Sequence, residues 1–119
     1  MVTPAQTVVT DRIAWAIETS CPRCGAVEEQ CGWDEMPDPW REVLLAEEGR
    51  SRLRADRERN RPVKVRLLAV LRRQGATIPE ALGTYDALTG EGVTGTSAEM
   101  TLLATRLSNA GAIVTLALA

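Results

Sequence analysis

No histidine and no phenylalanine occur in this chain of 119 residues, and cysteine (three), tryptophan (three) and tyrosine (one) are scarce. Without histidine the commonest general base is missing, and neither a Ser/His nor a Cys/His nucleophile can be assembled. Gly90, Gly92 and Gly95 surround a turn, but no lysine follows as in a phosphate-cradling loop. The adjacent Glu28 and Glu29 would point to opposite faces of a strand, so they make no acid/base pair. An enzyme is not expected.

Other scarcities narrow the class further. With Trp15, Trp33, Trp40 and Tyr85 as the only aromatics, the core must be built from Leu, Val, Ile and Ala. No apolar run approaches the roughly 20 residues that span a bilayer, so no membrane partner is expected. The opening Met1-Val2-Thr3-Pro4-Ala5-Gln6 lacks the basic and apolar regions of a signal peptide, and a cytoplasmic location is expected. Three cysteines are an odd number and argue against a disulfide framework.

What is present is a strong division of charge beneath a net −2. Residues 1–49 hold three basic residues against ten acidic ones. Residues 50–73 hold ten cations (Arg50, Arg52, Arg54, Arg57, Arg59, Arg61, Lys64, Arg66, Arg72 and Arg73) against Asp56 and Glu58. Residues 51–60 read as a solvated helical connector, with Arg52–Asp56 and Arg54–Glu58 at the spacing of helical ion pairs. A cluster of this kind could also neutralise phosphates. The lack of interleaved aromatics and a pI near 5.2 weigh against nucleic acid as the general partner.

Along the chain, residues 1–10 read as a loose lead-in. Residues 12–19 alternate Ile13, Trp15 and Ile17 with Ala14 and Ala16, the pattern of an interior strand. Residues 26–31 make a weaker strand, so Cys21-Pro22-Arg23-Cys24-Gly25 becomes the turn of a hairpin. Asp38-Pro39 opens a helix that Gly49 ends. The second half predicts a helix over 63–74, a second over 77–88 and a short extended piece at 91–94. A third helix over 96–110 and a closing apolar strand over 112–118 follow. Thr77…Glu80 and Thr96…Glu99 have capping-box spacing, and Gly75 and Gly111 stand where left-handed caps belong.

Several residues in this second half have counterparts in a known family. They are Lys64-Val65 and Arg72 on the first helix, Glu80-Ala81 on the second, Gly92-Val93 in the short strand, and Leu103…Leu107-Ser108-Asn109-Ala110-Gly111-Ala112-Ile113-Val114 at the close. On these, residues 62–118 resemble the C-terminal domain of the bacterial ribosomal stalk protein. The resemblance implies helix, helix, strand, helix, strand behind one leading strand, and a factor-binding surface on the first two helices. The family's mid-helix lysine corresponds to Ala69, and its Lys-Glu-Ala-Lys to Pro79-Glu80-Ala81-Leu82, leaving Lys64 and Arg72 as the cations in place. The adaptor that delivers substrates to the Clp protease looks similar in fold.

The expected fold is α+β: a small antiparallel sheet of three to four strands with three to four helices packed on it. One domain is expected, made of a cysteine hairpin plus helix (1–49), an Arg-rich connector (50–61) and the helical unit (62–119). Because the connector is so charged, the leading strand is expected to come from residues 12–19, paired with 112–118.

Three candidate sites follow. Cys21 and Cys24 have zinc-knuckle spacing with Cys31 as a third ligand, the fourth coming from Asp34, Glu35, water or a second chain. Reduced structural cysteines and a redox pair are the other readings, the last weakened because no helix N-terminus follows. Trp33 and Trp40 flank the acidic Asp34, Glu35 and Asp38, either as a recognition surface for a basic partner or as plugs at a core edge. Arg50, Arg52, Arg54, Arg57, Arg59, Arg61 and Lys64 form the basic surface. The leading functional expectation is a non-catalytic protein-interaction module. A nucleic-acid-associated protein with a zinc-stabilised hairpin, or an immunity or antitoxin-type protein, is the alternative, and self-association is open in each case.

Overall fold

Residues 1–119 are all described by a computed structural model, and two antiparallel three-stranded sheets organise them. β1 (Val2–Val9), β2 (Arg12–Ser20) and β3 (Val27–Trp33) form the first sheet in that order. Helix α1 (Asp38–Glu48) leads to β4 (Ser51–Ala55), the single turn α2 (Arg57–Asn60) and a 3-10 turn at Arg61–Val63. Then come α3 (Lys64–Arg73), α4 (Ile78–Leu88), β5 (Val93–Gly95), α5 (Ser97–Asn109) and β6 (Val114–Leu118). The second sheet runs β5-β4-β6. The fold is α+β, as expected, but with two sheets in place of one.

The helices follow their sequence signals. At Thr77 and Thr96 both halves of the capping box are made, with Glu80 and Glu99 bonding back to the cap backbone. Gly75 and Gly111 take φ +100 and +99, the left-handed region where a side chain would be strained. Helix α1 starts with Pro39 in its first turn, and Pro37 rather than Asp38 is its cap residue. Gly49 ends it at φ +80.

Three strand expectations are corrected. Residues 1–10 are not a loose lead-in: β1 pairs with β2 from Val2↔Thr19 to Val9↔Arg12, around a tight turn with Thr10 at φ +57. β2 is indeed an interior strand, but of its own sheet. It does not pair with β6, and Trp15 lies in a different sheet from Val114 and Leu116. The leading strand of the second unit is instead the supposed connector. Ser51, Leu53 and Ala55 are buried while Arg52 and Arg54 are exposed, because a strand's period of two sends alternate side chains to opposite faces. The helical pairs Arg52–Asp56 and Arg54–Glu58 do not form. Asp56 caps α2 by accepting the Arg59 N–H at 2.9 Å, and Glu58 pairs with Arg61. β6, though apolar in sequence, is an edge strand, half-buried at Val114 and exposed from Thr115 to Leu118.

The main core lies between the second sheet and its helices. Leu53, Leu67 and Leu107 are fully buried there, with Leu71, Ala81, Tyr85, Leu88 and Met100 around them. Each buried leucine contributes about 1.5–3 kcal/mol of transfer free energy. Asn60 is fully buried among them and is fully used. Its amide donates to Asp56 O (2.6 Å) and Ile113 O (2.9 Å) and accepts the Ile113 N–H (2.8 Å), fastening α2 to the start of β6.

In the first sheet Ile13 and Ile17 are buried, and Met36, Leu44, Leu45 and Leu102 are buried outside the main core cluster. Trp15 lies across β3 at Gly32, where a Cβ would come within 2.4 Å of the ring, so any side chain there would displace the indole. The remainder of this sheet extends outward. The chain measures 58 × 24 × 23 Å, with a radius of gyration of 16.5 Å. A compact chain of this length would have about 13.5 Å.

Two ion pairs tie the units together. Arg41 on α1 grips Glu99 on α5 through two 2.7 Å bonds, and Arg106 on α5 reaches Asp11 at 3.0 Å. Burial pushes the Glu99 carboxyl up. The hydrogen bonds from Arg41 and the Thr96 N–H outweigh it and leave Glu99 below the usual glutamate range.

Two predictions follow from these buried polar contacts. Asn60→Ala leaves Ile113 without its partner and is expected to lower unfolding free energy by about 1–3 kcal/mol in denaturant titration. Arg41→Met is expected to cost a similar amount, about 1.5–3 kcal/mol, at neutral pH. Because the folded Glu99 pKa is depressed, the stabilisation is present above about pH 4.3 and is lost as pH falls further, through the lower folded value. The gap between wild type and Arg41→Met should therefore narrow on acidification. A gap independent of pH would show that the pair contributes nothing.

Candidate functional site

Helices α3 and α4 pack on each other and bury Leu67 and Leu71 on one, and Ala81, Tyr85 and Leu88 on the other. Beside those stripes three large apolar side chains stay in water: Val65 is 79% exposed, Ile78 56% and Leu82 39%. Ile78 and Leu82 are one turn apart, and Leu68 follows Val65 by three residues, so each pair lies along one helix flank. Lys64 Nζ stands 5.1 Å from the Tyr85 ring centroid, a cation–π contact joining the start of α3 to α4.

Cations border this apolar strip. Arg61 and Lys64 are exposed at its start and Arg72 near its end. Arg57, Arg61, Lys64 and Tyr85 line a notch of about 200 Å³. Arg57 approaches Asp86 at 3.6 Å and Arg61 bonds Glu58 at 2.8 Å, both pairs more than half exposed. Pairs so exposed are worth little and exchange readily for another carboxylate. The arrangement can receive an apolar side chain on the strip and an anionic group in the notch.

The expected basic surface is thus divided by the strand it belongs to. Arg52 and Arg54 project from the outer face of the second sheet, and Arg54 donates to Gly90 O at 3.0 Å. Gly92, at φ +102, passes so close that a Cβ would sit 2.8 Å from the Cγ atoms of both arginines. Arg57, Arg61 and Lys64 instead gather at the α3–α4 notch. Arg50 and Arg59 are exposed and belong to neither group.

The acidic tryptophan segment is not assembled as one surface. Trp33 ends β3 half-exposed, with the Arg12 guanidinium 4.8 Å from its ring centroid. The same Arg12 bonds both carboxylate oxygens of Asp34 and holds that carboxyl below its usual range. Glu35 is exposed, and Trp40 is half-buried on α1. Asp34 and Glu35, with Arg73 and Arg106, line an open cleft of about 690 Å³. Its charges largely answer one another through Arg12–Asp34 and Arg106–Asp11.

Cys21 and Cys24 sit in the β2–β3 turn, closed by Gly25 N–H to Cys21 O and Cys21 N–H to Ala26 O, both 2.9 Å. Gly25 takes φ +70. The Cys24 backbone N–H, then the Cys24 side chain and the Arg23 N–H, bond the Cys21 sulfur and hold its thiol below the usual range. Cys31 does not join them. It pairs with Ala16, four residues up β3 from the Ser20↔Val27 pair that closes the hairpin, roughly 13 Å at strand rise. Asp34 and Glu35 lie past the other end of β3, and no group of three potential ligands forms within the chain. Cys31, Asp34 and Glu35 thus stand apart from the Cys21–Cys24 turn.

No protein-family model, curated protein or solved structure matches this chain. The site must be read from its own chemistry.

Sequence reasoning found Lys64 and Arg61 but missed Val65, Ile78 and Leu82. Their signal was position rather than type: they stand off the Leu67–Leu71 and Ala81–Tyr85–Leu88 stripes, where an amphipathic helix normally carries polar residues.

Proposed function

We propose that the chain is a non-catalytic protein-interaction module that binds its partner on the α3–α4 face. The observation that carries this reading is the exposure of Val65 on α3 and of Ile78 and Leu82 on α4, two helices that pack on each other, with the Arg57–Arg61–Lys64 notch at the start of α3. Large aliphatic side chains exposed on two helices that pack on each other are candidates for an interaction surface. The cationic notch selects an occupant carrying a carboxylate next to apolar residues. An amphipathic acidic segment of a protein meets both demands.

The resemblance to the ribosomal stalk C-terminal domain supports the same face. The order β4, α3, α4, β5, α5, β6 is the order it implies, with the leading strand in place. In that family the first two helices carry the factor-binding surface. Here Ala69, Pro79 and Leu82 replace lysines, so the surface is more apolar and less cationic, and a partner other than a translation factor is expected. The acidic complement of this face suits an adaptor role in the cytoplasm better than a phosphate backbone.

A photo-crosslinking residue placed at Val65 tests the proposal in the native host. The expected product is a protein adduct at a segment rich in Asp or Glu and aliphatic residues, at least tenfold reduced by Leu82→Glu. Adducts to RNA or DNA, or labelling unchanged by Leu82→Glu, would overturn it.

A further inference from the structure

The cysteine turn stands apart from the α3–α4 face and has no part in the function just proposed. All residues from Cys21 to Cys31 are exposed, and the turn closes the far end of a hairpin whose opposite end is fastened by Arg106 to Asp11. No helix lies over it to hide the sulfurs. The local backbone is already shaped for a metal. A two-residue spacing places both sulfurs on one side of the turn, Gly25 at φ +70 lets the chain bend back, and Cys21 N–H to Ala26 O locks the neck.

Such a turn supplies two of the four ligands that a structural zinc ion takes. The chain cannot supply the others, since Cys31 lies far up β3 and no third candidate ligand approaches. A second copy can. Two-fold symmetry presents the same pair of thiols from the same exposed tip, and such a contact is self-complementary and closes on itself. The projecting shape, 58 Å long and 24 Å wide, lets two tips meet while the helical units stay apart.

We propose that Cys21 and Cys24 of two copies together bind one zinc ion, joining the copies tip to tip. Four thiols lose their protons as four Zn–S bonds of about 2.3 Å form, and no electrons are transferred. The dimer is therefore reversible by chelation and by acid. Cys31 takes no part.

The experiment uses the full chain, reduced and metal-free, titrated with zinc or cobalt and followed by analytical ultracentrifugation and absorption spectroscopy. Saturation at one metal per two chains is expected, with conversion of monomer to dimer and the charge-transfer and ligand-field bands of tetrahedral cobalt thiolate. A chelator should restore the monomer. Cys21→Ser and Cys24→Ser should each abolish dimer and bands, and Cys31→Ser should leave both unchanged. Far-ultraviolet circular dichroism verifies that each variant folds, which the exposed turn makes straightforward. Saturation at one metal per chain without dimerisation would overturn the proposal. So would zinc binding equal to that of the Cys21→Ser/Cys24→Ser double variant, a dimer that persists in that variant, or a Cys21–Cys24 disulfide that zinc and mild reductant cannot displace. None of these outcomes touches the crosslinking at Val65, so the two readings fail separately.

Discussion

Five residues in the middle of the chain, Ser51-Arg52-Leu53-Arg54-Ala55, govern how everything after them packs. As β4 they lie between β5 and β6, with Leu53 fully buried and the guanidinium groups on the opposite face. Backbone hydrogen bonds to both neighbours offset the loss of water that a central strand entails. The period of two does the rest: a segment can carry a cation at every second position and still present an unbroken apolar face. Residues of helices α3, α4 and α5 pack on that face.

Beyond this sheet the structure depends on a few polar contacts at defined points. Asn60 joins α2 to β6 inside the core, and the Arg41–Glu99 pair joins α1 to the cap of α5. Glu99 serves twice, since the same carboxylate closes the Thr96 capping box. The first sheet is thus held to the helices through β1, which packs on α1 and α5, and through β2, which packs on α5. Its cysteine end reaches into solvent, which separates the two surfaces proposed for recognition.

Much of the helical half was legible because its punctuation is local. A capping box needs only a threonine and a glutamate three residues apart, and both are realised. β4 was not legible for the opposite reason. Arg52–Asp56 and Arg54–Glu58 satisfy helical spacing as well as strand alternation, and only pairing with Leu116 and Val93, more than 35 residues away, decides between them. β1 was missed on the same grounds, since Val2–Val9 becomes a strand through the register that β2 provides. At the sites, the cysteine spacing and Lys64 could be read directly. Val65, Ile78 and Leu82 could not, because residue type alone says core, and their exposure follows from which flank of each helix meets the sheet.

The placement of residues 51–55 is the claim on which the rest turns, and nuclear Overhauser spectroscopy tests it most directly. Cross-strand contacts from the Leu53 backbone to Leu116 and to Val93 are expected, with extended chemical shifts from Ser51 to Ala55 and slow amide exchange at Leu53. Helical shifts through this segment, with cross-strand contacts running from β2 to β6 instead, would contradict the account.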